Sequence, residues 1–313
     1  MIASGRRLTL DRVTAALLAL MFLACLGFAW GKGFAIDWMR ALLPTAAVYG
    51  LLLARSIAHA RGQPRGEAAA TAFAQMTAFM ILGVVLAYTI AAHAAPFWDE
   101  HLAAADRALG FHWPAVLAAL DRWPLLIWLL GFAYHSLSVQ MVAAILLLAQ
   151  ANRLETLRVT VAAAVLAGFA TILVSALVPA AGNLFDPDRY RHLWPSIAWL
   201  ERDLIAGLRD GTGRVLDLSQ LMGIVSFPSY HATLAALFIW CARDLPRWRA
   251  GLTLWAVLTI VATPIFGGHY AIEVIAGLLL APPAVAAAQL ARGWTERVAT
   301  GAKTAAGYAK ASA

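Results

Sequence analysis

The chain alternates between apolar runs about as long as a bilayer is thick and short charged segments. That alternation limits its folds more than any other feature, because a run of about 20 apolar residues suits hydrocarbon rather than water. Within hydrocarbon every backbone N–H and C=O needs an internal partner, and a helix supplies one for each. Eight crossings are expected, at 12–30, 40–58, 68–93, 124–150, 157–178, 224–243, 249–266 and 269–291. Of the 313 residues 62% are hydrophobic and 13% charged, which leaves little for a separate soluble domain. The expected fold is all-α: a polytopic transmembrane helical bundle with a surface amphipathic helix and a long outer loop.

Orientation follows from the basic residues. With the N-terminus inside, the inner segments hold 15 of the 24 Lys and Arg residues and five of the 17 acids, a net +10. The inner bases are Arg6, Arg7, Arg12, Arg55, Arg61, Arg65, Arg153, Arg158, Arg243, Arg247, Arg249, Arg292, Arg297, Lys303 and Lys310. The outer segments then carry a net −3. Both termini are therefore expected in the cytoplasm. The basic residues are scattered among loops instead of gathered on one face, which argues against nucleic-acid binding. The first apolar block lacks a small-x-small cleavage site before Lys32 and reads as a retained anchor. Cys25 and Cys241 fall toward opposite ends of their crossings, too far apart for a disulfide, and they offer no metal site.

Three regions are expected: N-terminal transmembrane helices over 1–95, a catalytic membrane domain over 96–291 and a basic cytoplasmic tail over 292–313. Residues 96–123 mix apolar positions at helical spacing with Asp99, Glu100, Asp106, Arg107 and Asp121, the pattern of a helix lying on the membrane surface. Residues 179–223 are too long for a passive connection and are expected to form a partial lid.

Chemistry concentrates at two helix starts. In Phe227-Pro228-Ser229-Tyr230-His231-Ala232, Pro228 suits a first helical turn and Ser229 sets a hydroxyl beside free backbone N–H groups, a place for a phosphate oxygen. In Gly267-Gly268-His269-Tyr270-Ala271-Ile272-Glu273, the glycines allow close approach to a ligand. His269 is expected to begin the helix, with Glu273 four residues on and on the same face. Both histidines stand at outward-facing starts of even-numbered crossings. Singly, each residue has a structural reading: interfacial histidines, a capping serine, a buried carboxylate. Together they form a candidate catalytic set.

FPSYHA resembles the second signature of the type 2 phosphatidic acid phosphatase superfamily, and GGHYAIEVIAG resembles its third. The form of both is similar to the inositol phosphorylceramide synthase-like branch. Asp106-Arg107-Ala108-Leu109-Gly110-Phe111, Trp113-Pro114 and Ala133-Tyr134-His135-Ser136-Leu137 with Gln140 extend the likeness over about 96–290. The usual carboxylate is Asp, where this chain has Glu273. Ala262 and Thr263 stand where the phosphatase form has Ser-Arg, and the first signature has no clean match.

The resemblance implies a metal-independent, cofactor-free enzyme of a bacterial-type inner membrane. His269 would attack phosphorus, Glu273 would hold its other nitrogen and His231 would serve as acid and then base. Arg189 and Arg191 are candidates to replace the missing Arg, or are solvated charges paired with Asp186 or Asp188. Ser229 and Gly268 are expected at the phosphate. Tyr134 and Gln140, with Ser136, either line an acceptor pocket or make interhelical hydrogen bonds. The partners are then lipids: a phospholipid donor and a hydroxylated, ceramide-like or other lipid acceptor. The alternatives are a phosphatase using water and, from another class, a proton-coupled transporter, although no repeat relates the two halves.

Overall fold

The computed structural model describes residues 9–93 and 95–311, and side chains for 9–29, 31–93 and 95–298. Arg6, Arg7 and the side chains of Lys303 and Lys310 lie outside that part. Twelve α-helices occur among the described residues: α1 (Leu10–Gly31), α2 (Trp38–Ala60), α3 (Pro64–Ala91), α4 (Asp99–Ala108), α5 (Trp113–Leu120), α6 (Pro124–His135), α7 (Leu137–Gln150), α8 (Leu154–Leu177), α9 (Ile197–Asp210), α10 (Tyr230–Ala242), α11 (Arg249–Ala262) and α12 (Ala271–Ala311). A π-helical turn, Thr263–Gly267, prolongs α11. Six of these elements are long and apolar enough to cross a membrane: α1, α2, α3, α8, α11 with its π turn, and α12. The protein is a multi-pass helical membrane protein.

Two expected crossings differ from the sequence reading. The run 124–150 is divided at Ser136 into α6 and α7. Ser136 Oγ donates to Ala133 O at 3.1 Å and accepts from Trp255 Nε1 at 2.9 Å, a side-chain arrangement that competes with the helical ladder. The run 224–243 becomes helical only at Tyr230, and the 13 residues of α10 span about 20 Å. Its lead-in, 224–229, is not helical, and within it Ser226 Oγ and Ser229 N both bond to Glu273. Pro228, expected in the first helical turn, precedes the capping Ser229 and follows a cis peptide bond.

The centre of the bundle is built from small side chains. Ala162, Ala163, Ala164 and Ala167 of α8, Ala232 and Ala235 of α10, and Ala281, Ala284 and Ala288 of α12 are buried. In lipid there is little hydrophobic gain from pairing helices, so close packing of small residues holds them together. At Gly277 on α12 an added Cβ would lie 2.2 Å from Ser229 O, so only glycine permits this α10–α12 contact. Thr233 Oγ1 donates to Gly277 O at 2.8 Å and reinforces it. By contrast α1 and α2 expose Leu20, Leu23, Leu42, Leu43 and Leu53, a surface suited to lipid.

The two ends of the bundle are distinct. At one, Arg158 pairs with Asp11 at 3.1 Å and with Glu155 at 2.8 Å, and Thr156 donates to Asp244. At the other, β1 (Ala35–Ile36) pairs in parallel with β2 (Val215–Leu216), and Arg40 meets Asp217 at 2.5 Å. That pairing fastens the α1–α2 connection to the long loop.

The stretch 96–123 forms two short helices, α4 and α5, instead of one surface helix. Three of its acids accept from backbone amides. Asp99 accepts from Ala181 N and Gly182 N, and Asp121 from the amides of Arg191, His192 and Leu193. Asp106, 1% exposed, accepts from Ala271 N at 2.8 Å, Ile272 N at 2.9 Å and Trp113 Nε1 at 2.6 Å. It satisfies amides that the start of α12 leaves without intrahelical partners. These carboxylates staple the long loop and α12 into place.

Candidate active site

The starts of α10 and α12 meet beneath the long loop. Gly268 has φ +73°, a left-handed conformation that favours glycine, and an added Cβ would lie 2.6 Å from Ala198 Cβ and 2.8 Å from Ser196 Oγ. Gly268 O accepts from Asn183 N at 2.6 Å, so the loop lies directly on this turn. His269, expected to begin the helix, therefore sits in the turn ahead of α12, two residues before its observed start at Ala271.

His269 and Glu273 are both buried. His269 Nδ1 is 2.9 Å from Glu273 Oε2, which also accepts from Tyr270 N at 3.0 Å. Ser226 Oγ is 2.9 and 2.8 Å from the two carboxylate oxygens, so the group is held on both sides. A carboxylate at Nδ1 fixes that nitrogen as the N–H and leaves a lone pair on Nε2. Nε2 is 3.4 Å from Ser229 Oγ. The same hydroxyl accepts from Ala232 N at 3.4 Å, so Ser229 both caps α10 and reaches His269 Nε2.

His231 is held differently. Its ring stacks on Tyr134, with centroids 4.6 Å apart and planes 15° from parallel, and its centroid is 6.3 Å from that of His269. No hydrogen bond restrains it among the described residues. It faces a cavity of about 350 Å³, within the range of small-molecule sites. Tyr134, His135, Glu201 and His231 are among the polar residues that line it. Phe79, Val84, Met141, Ile172 and Leu234 line an apolar part between α3, α7, α8 and α10.

The sequence-derived candidates divide accordingly. His231, His269, Glu273, Ser229, Gly268 and Tyr134 come together. Arg189 and Arg191 do not join them: both are exposed, Arg189 lies 3.5 Å from Asp186, and Arg191 contributes its backbone N–H to Asp121. The turn capped by Asp186 holds this segment at the surface. Gln140 is buried and donates to Ala133 O and Thr259 Oγ1, the interhelical role, and does not line the cavity. No Lys or Arg lines that cavity among the described residues.

Ser226 and Glu201 were not singled out from the sequence. Ser226 stands one residue ahead of FPSYHA and is recognisable only once the lead-in proves non-helical. Glu201 had a usable signal: the buried stripe of α9 runs Ala198, Glu201, Ile205, Leu208, and a carboxyl interrupts an otherwise apolar face. Burial without an adjacent cation pushes that carboxyl up to about 8.

A model of the PAP2 superfamily matches residues 100–287, which takes in both helix starts, α4 to α9 and the cavity wall from α6 onward. No curated protein and no solved structure gives a significant match.

Proposed function

Because the chain belongs to the PAP2 superfamily, a group of lipid phosphatase and phosphotransferase type, we propose that it is a membrane lipid phosphotransferase acting through a phosphohistidine. The observation that carries this reading is the His269–Glu273 pair, whose free Nε2 points toward Ser229 with the His231 ring 6.3 Å away. Both rings can reach one phosphoryl group.

In the first half-reaction His269 Nε2 attacks phosphorus as the bond to the donor's leaving oxygen breaks, and protonated His231 gives that oxygen a proton. Glu273 stabilises the positive charge that His269 gains. In the second half-reaction neutral His231 takes the proton from an acceptor hydroxyl, whose oxygen displaces His269 from phosphorus. With Arg189 and Arg191 at the surface, the amides of the first turn of α10 and the Ser229 hydroxyl are the donors placed to offset the charge on the phosphoryl oxygens.

Two features favour a lipid acceptor over water. The cavity beside His231 is lined largely by apolar side chains from α3, α7, α8 and α10, where an alkyl chain fits, and His231 itself lines it. A ceramide-like headgroup transfer, as in the inositol phosphorylceramide synthase-like branch, belongs to this reading. The outward-facing site and cytoplasmic termini are part of the proposal, supported by the basic residues at the end opposite the histidines.

The test is product analysis. The purified protein is incubated with mixed phospholipid donors and hydroxylated lipid acceptors in ¹⁸O-labelled water, and all products are identified by mass spectrometry. A new phospholipid without ¹⁸O is expected. Labelled phosphate or labelled phospho-headgroup as the sole product would replace the transferase with a phosphatase, and proton-coupled uptake without turnover would replace both.

A further inference from the structure

Glu201 stands where a passive structural residue is poorly placed. It is 4% exposed, lines the same cavity as His231, and its Oε1 has no hydrogen-bond partner among the described residues. A buried carboxyl oxygen without a partner is destabilising, and so is a buried carboxylate without a cation. Three other staple acids of the outer end, Asp99, Asp106 and Asp121, have their oxygens occupied by two or three donors each. Glu201 is therefore the exception within one architecture.

The surroundings limit what completes it. No Lys or Arg lines the cavity among the described residues, and the remaining polar wall is provided by the hydroxyls of Tyr134, Ser138, Thr171 and Tyr230 and by the imidazoles of His135 and His231, the latter neutral in the half-reaction in which the acceptor binds. A carboxyl enclosed in this way is retained as the acid, as its elevated pKa of about 8 agrees. In that form it both donates and accepts a hydrogen bond. Its complement is a neutral group with the same two-way character, a hydroxyl or an amide. The apolar wall formed by Phe79, Val84, Ile172 and Leu234 calls for a long hydrocarbon chain on the same molecule.

Resting on the phosphoryl-transfer reading, we propose that Glu201 is the specificity-determining contact for the acceptor: a neutral long-chain alcohol bearing a second hydroxyl or an amide beside its reacting hydroxyl. Glu201 holds the second group and the apolar wall holds the chain. The reacting hydroxyl is thereby directed at His231, which takes its proton as the new P–O bond forms and the P–N bond to His269 breaks.

The experiment compares a long-chain 1,2-diol with the monoalcohol of equal length, each in mixed micelles, for wild type, Glu201→Gln and Glu201→Leu. Wild type is expected to prefer the diol by about tenfold or more in kcat/KM, mostly through KM, the scale of one well-made hydrogen bond. Glu201→Gln, which keeps a donor and an acceptor, should retain that preference within about threefold. Glu201→Leu should lose it, with the monoalcohol affected less than the diol. A preference that survives Glu201→Leu overturns the proposal. So does loss of turnover with both acceptors in Glu201→Gln, which would make the carboxylate charge the essential property. Thermal stabilisation by the diol is measured in parallel and needs no turnover. Diol stabilisation of wild type but not of Glu201→Leu, in a protein that forms no phosphoenzyme, would sustain the acceptor site and sink the transfer reading. No diol stabilisation of wild type and no diol preference would sink the acceptor site alone. Glu201→Met serves as a second apolar variant should Glu201→Leu fold poorly.

Discussion

His231 and His269 are the same side chain at the same end of two adjacent helices, yet the protein treats them oppositely. His269 is immobilised: Glu273 holds Nδ1, Ser226 and Tyr270 N hold Glu273, and the Gly268 turn lies against Ser196 and Ala198. His231 is stacked by Tyr134 on one side and open to the cavity, with no hydrogen bond among the described residues to fix which nitrogen carries the proton. Fixing the tautomer suits a group that must offer the same lone pair in every cycle. Leaving both nitrogens uncommitted suits a group that must give and then take a proton.

Substitutions break this contrast in a defined order. His269→Ala should abolish turnover, a loss of roughly four orders of magnitude or more, together with any acid-labile phosphoenzyme. Wild-type turnover in that variant would end its assignment as nucleophile. His231→Ala should cost about 10²- to 10⁴-fold with an alkyl phosphate donor. The loss should shrink markedly with an aryl phosphate such as 4-nitrophenyl phosphate, whose leaving oxygen needs little protonation; an equal loss with both donors would deny His231 the acid role. Glu273→Gln keeps the shape but removes the charge that steadies the His269 imidazolium, and should lower kcat by about 10²-fold with little change in folding. An unchanged kcat would reduce Glu273 to a structural carboxylate.

Smaller effects sharpen the comparison. Ser226→Ala removes one donor to Glu273 and leaves the others, so kcat should fall by about tenfold, the equivalent of about 1.4 kcal/mol; a loss as large as that of Glu273→Gln would mean that Ser226 touches the reacting groups itself. On the cavity side, Glu201 titrates near 8 in the folded protein against 4.5 ordinarily. Its neutral form is the one that burial favours, so the stability it contributes is complete below about pH 4.5 and is lost as pH rises toward about 8. Melting temperature, measured for wild type and Glu201→Gln across this range, should diverge in that sense. Parallel curves would show that the carboxyl is paired in solution.

The residues legible in advance were those whose role follows from spacing. Histidine and glutamate four residues apart at a helix start meet because Glu273, in the first turn of α12, reaches back to the turn that carries His269, and the 2.9 Å contact shows it. Apolar run length likewise indicated which segments belong in lipid. Residues whose role depends on a distant partner were misjudged or missed. Asp99, Asp106 and Asp121 carry the pattern of a water-facing stripe, but their partners lie some 70 to 165 positions away in the chain. Arg189 and Arg191 have the right charge for a phosphate, and of the two readings open for them the exposure of both and the Arg189–Asp186 pair fit that of solvated charges.

Taken by itself, the sequence determined the solvent, the all-helical class and the pairing of His269 with Glu273, because each is set by composition or by contacts within a few residues of one another. Only the tertiary structure decided that Ser226 completes the Glu273 network, that Tyr134 stacks on His231, and that a lone carboxyl on α9 faces the cavity. Those contacts join segments remote in sequence, and their geometry comes from how closely the helices pack: at Gly277 the absence of a Cβ is what lets α12 approach Ser229.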